Sequence, residues 1–324
     1  MSSKVPTNAP SRKDTLRDAI VDDALGRPTD DRTRLSAYRS VFCPALFAGQ
    51  VVIVTGGGSG IGRCTAHELA SLGAGLALIG RKPEKLAAVA KEIAEDGGMA
   101  TTYPCDIRDE EQVKATIKRI LAVYGRLDGL VNNAGGQFPS PLASISQKGW
   151  DAVVRNNLTG GFLMARECFV QWMQKNGGAI VNIVADMWNG MPGLGHSGAA
   201  RAGMVNFTET AAVEWAPSGV RVNAVAPGWI ASSGMDTYPE SRKPLIRRFP
   251  RLIPMQRMGT EAEVSAAIAF LLSPAAAFIS GATLRVDGAA PNARRQAELP
   301  AHASSVPWNG FHRYRIPEVL RDCI

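Results

Sequence analysis

"VVIVTGGGSGIG", Val51 to Gly62, decides the reading of the chain. Its first half is a short β-branched run. Its second half is a glycine-rich turn that leads into the helical pattern "CTAHELASLG". Strand, tight turn and helix in direct succession make a cradle for a pyrophosphate, because the first amides of the helix lack intrahelical partners and face the phosphates. In this cradle Gly56 permits the turn, Gly60 lets the backbone approach the pyrophosphate, and Gly62 lets helix and strand pack closely. Ser59 and Ile61 complete the loop. Glycine turns also occur without any ligand. The strand before this one and the helix after it are what point to a dinucleotide.

Outward from that stretch the same alternation continues. "AGLALIG", "ATTYPCDI", "LDGLVNNAG", "GAIVNIVAD", "VRVNAVAPG" and "GATLRVDG" read as strands, with helical stretches such as "PEKLAAVAKEIAEDGG" between them. This spacing means βαβ units and a parallel sheet covered by helices on both faces, an α/β fold. The unit spans residues 48–290. Residues 1–47 read as an N-terminal arm, partly disordered, with a short helix around Asp14–Leu25. Residues 291–324 form a polar C-terminal tail carrying Trp308, Phe311 and Tyr314, and the sequence leaves its role open, crossing onto a neighbouring subunit being one option.

The bulk composition excludes several classes. With 324 residues, 45% of them hydrophobic, the chain can bury a large core. The net charge of +7 comes without a Lys/Arg stripe interleaved with aromatics, so nucleic acid is not the expected partner. No apolar run is long enough to span a bilayer, and no secretory signal pattern is present. Five cysteines, an odd count without metal-ligand spacing, read as reduced thiols of a cytoplasmic protein that holds no metal.

The second strand ends in "LIGRKPEK". An NAD site usually offers an acid there for the ribose 2′-hydroxyl. Gly80 stands in that place, followed by Arg81 and Lys82. Two cations would hold a 2′-phosphate through charge-assisted hydrogen bonds, so the expected cofactor is NADP(H). The plainer alternative is a solvated helix start.

Taken together, Thr55–Gly62, Asp106-Ile107, Asn132–Gly135, Asn157-Leu158, Val222-Asn223, Pro227-Gly228 and Val286–Gly288 resemble the short-chain dehydrogenase/reductase family, in the family's order. The resemblance implies a single-domain Rossmann fold with a doubly wound, seven-stranded parallel sheet, assembled as a homotetramer. It implies that Asp106 and Ile107 hold the adenine and that Asn133, Ala134 and Gly135 line the ribose. Pro227, Gly228, Ile230 and Ser232 would border the nicotinamide, and Asn157 would hold a water or the backbone of the family's lysine.

The chain departs from the family at its Ser-Tyr-Lys set. Ala185 and Asp186 fall at the serine place, and Ser197 and Arg201 at the Tyr and Lys places. In carbonyl reduction the phenol protonates the new alkoxide and the lysine lowers its pKa. A Ser hydroxyl is far less acidic, and Arg cannot relay a proton. Reduction of a double bond conjugated to a thioester needs neither group. Hydride goes to the β-carbon, and hydrogen-bond donors stabilise the enolate. "NNAGGQFPSP", "SQKGWDAV", "NNLTGGF" and "HSGAARAG" resemble the peroxisomal-type trans-2-enoyl-CoA and 2,4-dienoyl-CoA reductase branch.

Each candidate residue has two readings. Gln137 contacts the thioester or is a plain loop residue. His196 donates to the enolate or only bonds backbone at a helix start. Ser197 is an N-cap or a donor in the site. Asp186 positions a water or His196, or caps a turn. Arg201 holds the cofactor ribose or makes a surface salt bridge. The lid, about residues 230–258, carries Arg242, Lys243, Arg247, Arg248, Arg251 and Arg257, which suit the phosphates of an acyl-CoA substrate or form a solvated face. The leading function is NADPH-dependent reduction of the C=C bond of 2-enoyl-CoA or dienoyl-CoA thioesters. The alternatives are an alcohol dehydrogenase or ketoreductase with a non-standard acid, for terpenoid or hydroxyacyl substrates, and a catalytically silent NADP(H)-binding protein.

Overall fold

The computed structural model describes residues 37–293 and 299–323. The helix expected at Asp14–Leu25 lies outside the described residues.

β1 (Val51–Thr55), β2 (Gly75–Gly80), β3 (Met99–Pro104), β4 (Gly129–Asn132), β5 (Gly178–Ile183), β6 (Val220–Pro227) and β9 (Thr283–Val286) form one seven-stranded parallel sheet in the order β3-β2-β1-β4-β5-β6-β9. A second, two-stranded ribbon pairs β7 (Ile230–Ala231) with β8 (Gly259–Thr260). The strands lack polar alternation because both sheet faces are covered. Side-chain direction still alternates along them. Val52 and Val54 join one core with Leu69, Leu86, Ile93 and Ile268. Ile53 joins the other core with Ile117, Ile120, Met164 and Ala211.

The helices supply the matching faces. α1 (Gly60–Ser71), α2 (Pro83–Glu95) and α7 (Glu261–Leu272) cover the first core, and α3 (Glu110–Tyr124), α5 (Gly160–Cys168) and α6 (Gly195–Glu214) the second. α7 starts with a capping box, in which Glu263 N–H donates to Thr260 Oγ1 at 3.1 Å and Thr260 N–H donates to Glu263 Oε2 at 2.9 Å. α4 (Gln147–Val154) runs into α5 through a wide, π-type turn at Arg155–Thr159 that carries Asn157. Such turns break the 3.6-residue register and re-aim side chains, often at functional sites.

Strand order reverses between β1 and β4, so a crevice opens beyond their carboxyl ends.

Where described, arm and tail are built into the domain. Tyr38 and Phe311 are buried in one cluster with Cys64 and Ala262. Arg39 N–H donates to the Gly310 carbonyl at 2.9 Å. Val319 and Leu320 fill a core with Met235, Ile246, Phe249 and Ile253 of the lid. Where described, the tail folds over its own chain, its spaced apolar residues filling these two clusters.

Candidate active site

The crevice is built by the β1–α1 loop. Gly62 brings α1 against the strand ends so closely that a Cβ there would stand 2.4 Å from the Gly56 carbonyl oxygen and from Asn133 Nδ2. Thr55, fully buried, ties the crevice together. Its Oγ1 accepts from the amides of Asn133 and Ala134, both at 2.9 Å, while Asn133 Nδ2 donates to the Thr55 carbonyl at 2.9 Å. Beside them lies a cavity of about 190 Å³ lined by Gly56, Ser59, Arg81, Lys82, Asp106, Ile107, Ala134 and Gly135, which brings together the residues expected to hold the adenosine end of a dinucleotide. The cradle fits that group, since its walls carry the amides and cations that phosphates need.

Gly58, Lys85, Cys105 and Asn156 line the same cavity and were missed from sequence. Lys85 had a usable signal, as it lies one helical turn from Arg81 and Lys82. Asp106 offsets these cations only in part, because Arg108 Nε and Nη2 grip its carboxylate at 2.8 and 2.5 Å. That guanidinium holds the Asp106 carboxyl below its ordinary range.

Deeper in the crevice, Asn157 holds the backbone of Gly136 from both sides. Its Oδ1 accepts from the Gly136 amide at 3.1 Å and its Nδ2 donates to the Gly136 carbonyl at 2.7 Å. Through these two bonds Asn157 grips the loop that follows β4. Arg201 reaches along β5 and donates Nη1–H to the Ile183 carbonyl at 2.5 Å. A Cβ at Gly135 would stand 2.6 Å from both Arg201 Nη2 and Asn157 Oδ1, so only glycine fits between them. Burial brings the Arg201 pKa down to about 10, and the group stays charged at neutral pH. No carboxylate pairs with it among the described residues, which removes the surface salt-bridge reading.

Ser197 is not an N-cap. Leu194 holds that place, and Ser197 is buried in the first turn of α6. Its hydroxyl donates to Gln137 Oε1 at 2.7 Å. Gln137 is therefore fixed with its amide NH2 turned outward, 3.5 Å from the Tyr238 hydroxyl of the lid. This Ser197–Gln137–Tyr238 line joins three distant segments, and sequence reasoning missed Tyr238 because the lid has no periodicity to mark an inward residue.

His196 is corrected as well. The structure does not present it as a donor to the crevice: it is fully buried in the first helical turn, its Nδ1 accepts from the Ser197 amide at 2.8 Å, and Phe138 packs edge-on against its ring. The free amide at a helix start attracts an acceptor, and the ring supplies it. Asp186 does not orient His196 either. Burial, and then the Asp287 carboxylate, raise its pKa, while Arg285 works in the opposite direction. Pro227 and Gly228 end β6 beside it, Ile230 is buried in β7, and Ser232 starts the lid at the same rim.

The lid's basic residues divide. Arg257 is bidentate to Glu263 at 2.9 and 2.6 Å, Lys243 pairs with Glu240, and Arg247 donates to the Val319 carbonyl. Those three hold structure. Arg242, Arg248 and Arg251 are exposed, and none has an ion-pair partner among the described residues.

A family model described as enoyl-(acyl carrier protein) reductase matches residues 56–289. A probable 2,4-dienoyl-CoA reductase, (2E)-enoyl-CoA-producing, of Bacillus subtilis (strain 168) is 38% identical over 243 residues, 74% of this chain and 95% of that protein. A 3-oxoacyl-(acyl-carrier-protein) reductase of Synechocystis is 39% identical over 243 residues, 74% of this chain and 96% of that protein. Among solved structures, the citronellol catabolism dehydrogenase AtuB of Pseudomonas aeruginosa PAO1 is 62% identical with a TM-score of 0.71, covering 78% of this chain and 100% of that one.

Proposed function

This chain belongs to the short-chain dehydrogenase/reductase family, and from that premise we propose that it is an NADPH-dependent reductase of the C=C bond of 2-enoyl-CoA or 2,4-dienoyl-CoA thioesters. That it is an oxidoreductase using a nicotinamide dinucleotide follows from the family. Relatives of nearly equal identity are named for C=C and for C=O reduction, so overall likeness does not choose between them. The site does. The observation that carries the reading is the Ser197 hydroxyl donating to Gln137 Oε1, at the place where the resemblance puts the phenol.

A serine held in that bond orients an amide donor and does not act as an acid. Gln137 Nε2, now beside the Tyr238 hydroxyl at 3.5 Å, would serve as a donor for an enolate oxygen, as charge develops on the thioester. NADPH, when bound, supplies the hydride. Arg201 and Asn157 fix the Gly135-Gly136 backbone, and the unpaired Arg201 guanidinium suits the ribose hydroxyls of the cofactor. Tyr238 stands next to Gln137 as the phenol able to deliver a proton to the α-carbon. Arg242, Arg248 and Arg251 suit the phosphates of CoA. Four unpaired cysteines, Cys43, Cys64, Cys105 and Cys168, accord with a cytoplasmic enzyme. No helix among the described residues is long and apolar enough to cross a membrane.

A second reading is oxidation of a terpenoid alcohol, favoured by the dehydrogenase name of the 62%-identical structure. One experiment separates them: NADPH consumption with 2-enoyl- and 2,4-dienoyl-CoA, beside NADP+ reduction with citronellol. Thioester turnover is expected, with kcat for Gln137→Ala about a hundredfold lower, the usual loss on removing one oxyanion donor. Efficient citronellol oxidation without thioester turnover would overturn the proposal.

A further inference from the structure

The C-terminal tail returns over the outer faces of α1 and α2, far in sequence from the active site. There it meets a set of chemistry-bearing side chains, one buried and two partly exposed, that the proposed reaction does not use. His67 comes from α1, Asp96 from the residue after α2, and His312 from the tail. Asp96 Oδ2 stands 3.3 Å from His67 Nδ1 and 2.9 Å from His312 Nε2, and the three donor atoms lie within 4.8 Å of one another. Ligands on a tetrahedral zinc ion at about 2.0–2.1 Å sit roughly 3.4 Å apart, so the two pairs at 3.3 and 2.9 Å are already within about half an ångström of that spacing.

We infer that His67, Asp96 and His312 form a zinc-type divalent-cation site that fastens the C-terminal tail to the cofactor-binding half of the chain.

The surroundings are those a metal site requires. A ligating imidazole commonly gives its other N–H to a carboxylate, which fixes ring and tautomer. His67 does this: its Nε2 stands 3.1 Å from Glu92 Oε2, leaving the Nδ1 lone pair for the ion. Glu92 is held in turn by Arg63, whose Nε and Nη2 lie 2.7 and 2.9 Å from its oxygens. Asp96 Oδ1 is occupied by Arg313 Nη2 at 2.8 Å, and Oδ2 accepts only a longer bond, 3.3 Å, from Arg313 Nε, which the ion would displace. Two imidazoles and a carboxylate are a zinc-type donor set, and no fourth side-chain donor joins them among the described residues, so water would close the tetrahedron. One group must move. Arg313 Nε lies 3.1 Å from His312 Nε2, and loading would withdraw it while Nη2 stays on Asp96 Oδ1 and Glu95.

The competing account is an ion-pair latch with no metal, in which a protonated His67 bridges Glu92 and Asp96. The full chain, stripped with chelator and dialysed, is titrated with zinc chloride by calorimetry, and its thermal unfolding is followed with and without zinc. Cobalt(II) substitution reports the geometry. One ion per chain is expected, together with a raised Tm and a tetrahedral cobalt spectrum. Glu92→Gln should weaken binding about tenfold or more, the usual loss when such a supporting carboxylate is removed. His312→Ala, checked for fold by circular dichroism, should abolish it. A stripped parent chain that takes up no more zinc than His312→Ala, with an unchanged Tm, would overturn the proposal and leave the ion-pair latch.

Discussion

Arg81, Lys82 and Lys85 ring a cavity whose single acid, Asp106, is already gripped by Arg108. A 2′-phosphate would therefore meet uncompensated positive charge, and a bare ribose hydroxyl would gain little from it. Replacing Arg81 and Lys82 together with alanine should raise KM for NADPH about a hundredfold or more, since hydrogen bonds to charged groups are worth about 1.5–3 kcal/mol each. KM for NADH should change little, and an unchanged NADPH value in steady-state kinetics would refute the assignment. Glu261 makes a different residue-level case. Burial raises its pKa to about 7 against a slight opposing pull from Arg63. Between its ordinary value and about 7 the folded chain holds a proton that the unfolded chain has lost, so stability falls as pH rises through that window and levels above it. Glu261→Gln removes the dependence. Its stability relative to the parent should improve by about 3 kcal/mol from pH 4 to pH 8 in denaturant titrations. Parallel curves for the two proteins would count against the raised pKa.

Strands and glycine turns were legible because β-branched runs and positive-φ positions are local signals. Their two-sided burial followed from the unbroken apolar character of "VVIVT" and "GLALIG". The lid and tail were illegible for the opposite reason. Phe311, Val319 and Leu320 sit at no helical or strand period, so nothing in the sequence announces that they are core. Gln137 and Ser197 are 60 residues apart, and only the folded crevice joins them. The wide turn at Arg155–Thr159 was hidden too, because helical periodicity cannot show where one extra residue is inserted. At this scale the tail is a brace under the lid: Val319 N–H donates to Asp236 Oδ1 and its carbonyl accepts from Arg247. Leu320→Ala should cost about 2–5 kcal/mol if the site does not collapse. It should also raise KM for the acyl substrate while leaving KM for NADPH nearly unchanged. Equal rises in both would mean that the tail supports the whole domain and not the lid in particular.

The molecule as a whole leaves apolar surface that one chain does not cover. Val170 and Val213 are 58% and 76% exposed, and Phe162 and Trp172 flank the same outer side of the α5 and α6 region. Phe278 is fully exposed and Leu284 is 38% exposed at the β9 edge of the sheet. Soluble monomers rarely leave contiguous apolar areas of this kind open, and rims of polar residues around them mark association sites. Were each patch to pair with its own copy about a two-fold axis, the two would generate closed symmetry with two kinds of interface, a tetramer rather than a dimer. We therefore expect a homotetramer, in agreement with the family resemblance. Val213→Glu, on the helical patch, and Phe278→Glu, at the sheet edge, should each reduce it to dimers by light scattering at micromolar concentration, and the double variant should give monomers. The tail stays on its own chain in this arrangement, so truncating it should leave the assembly intact. A parent chain that scatters as a monomer, or a single variant that already yields only monomers, would contradict the two-patch assembly.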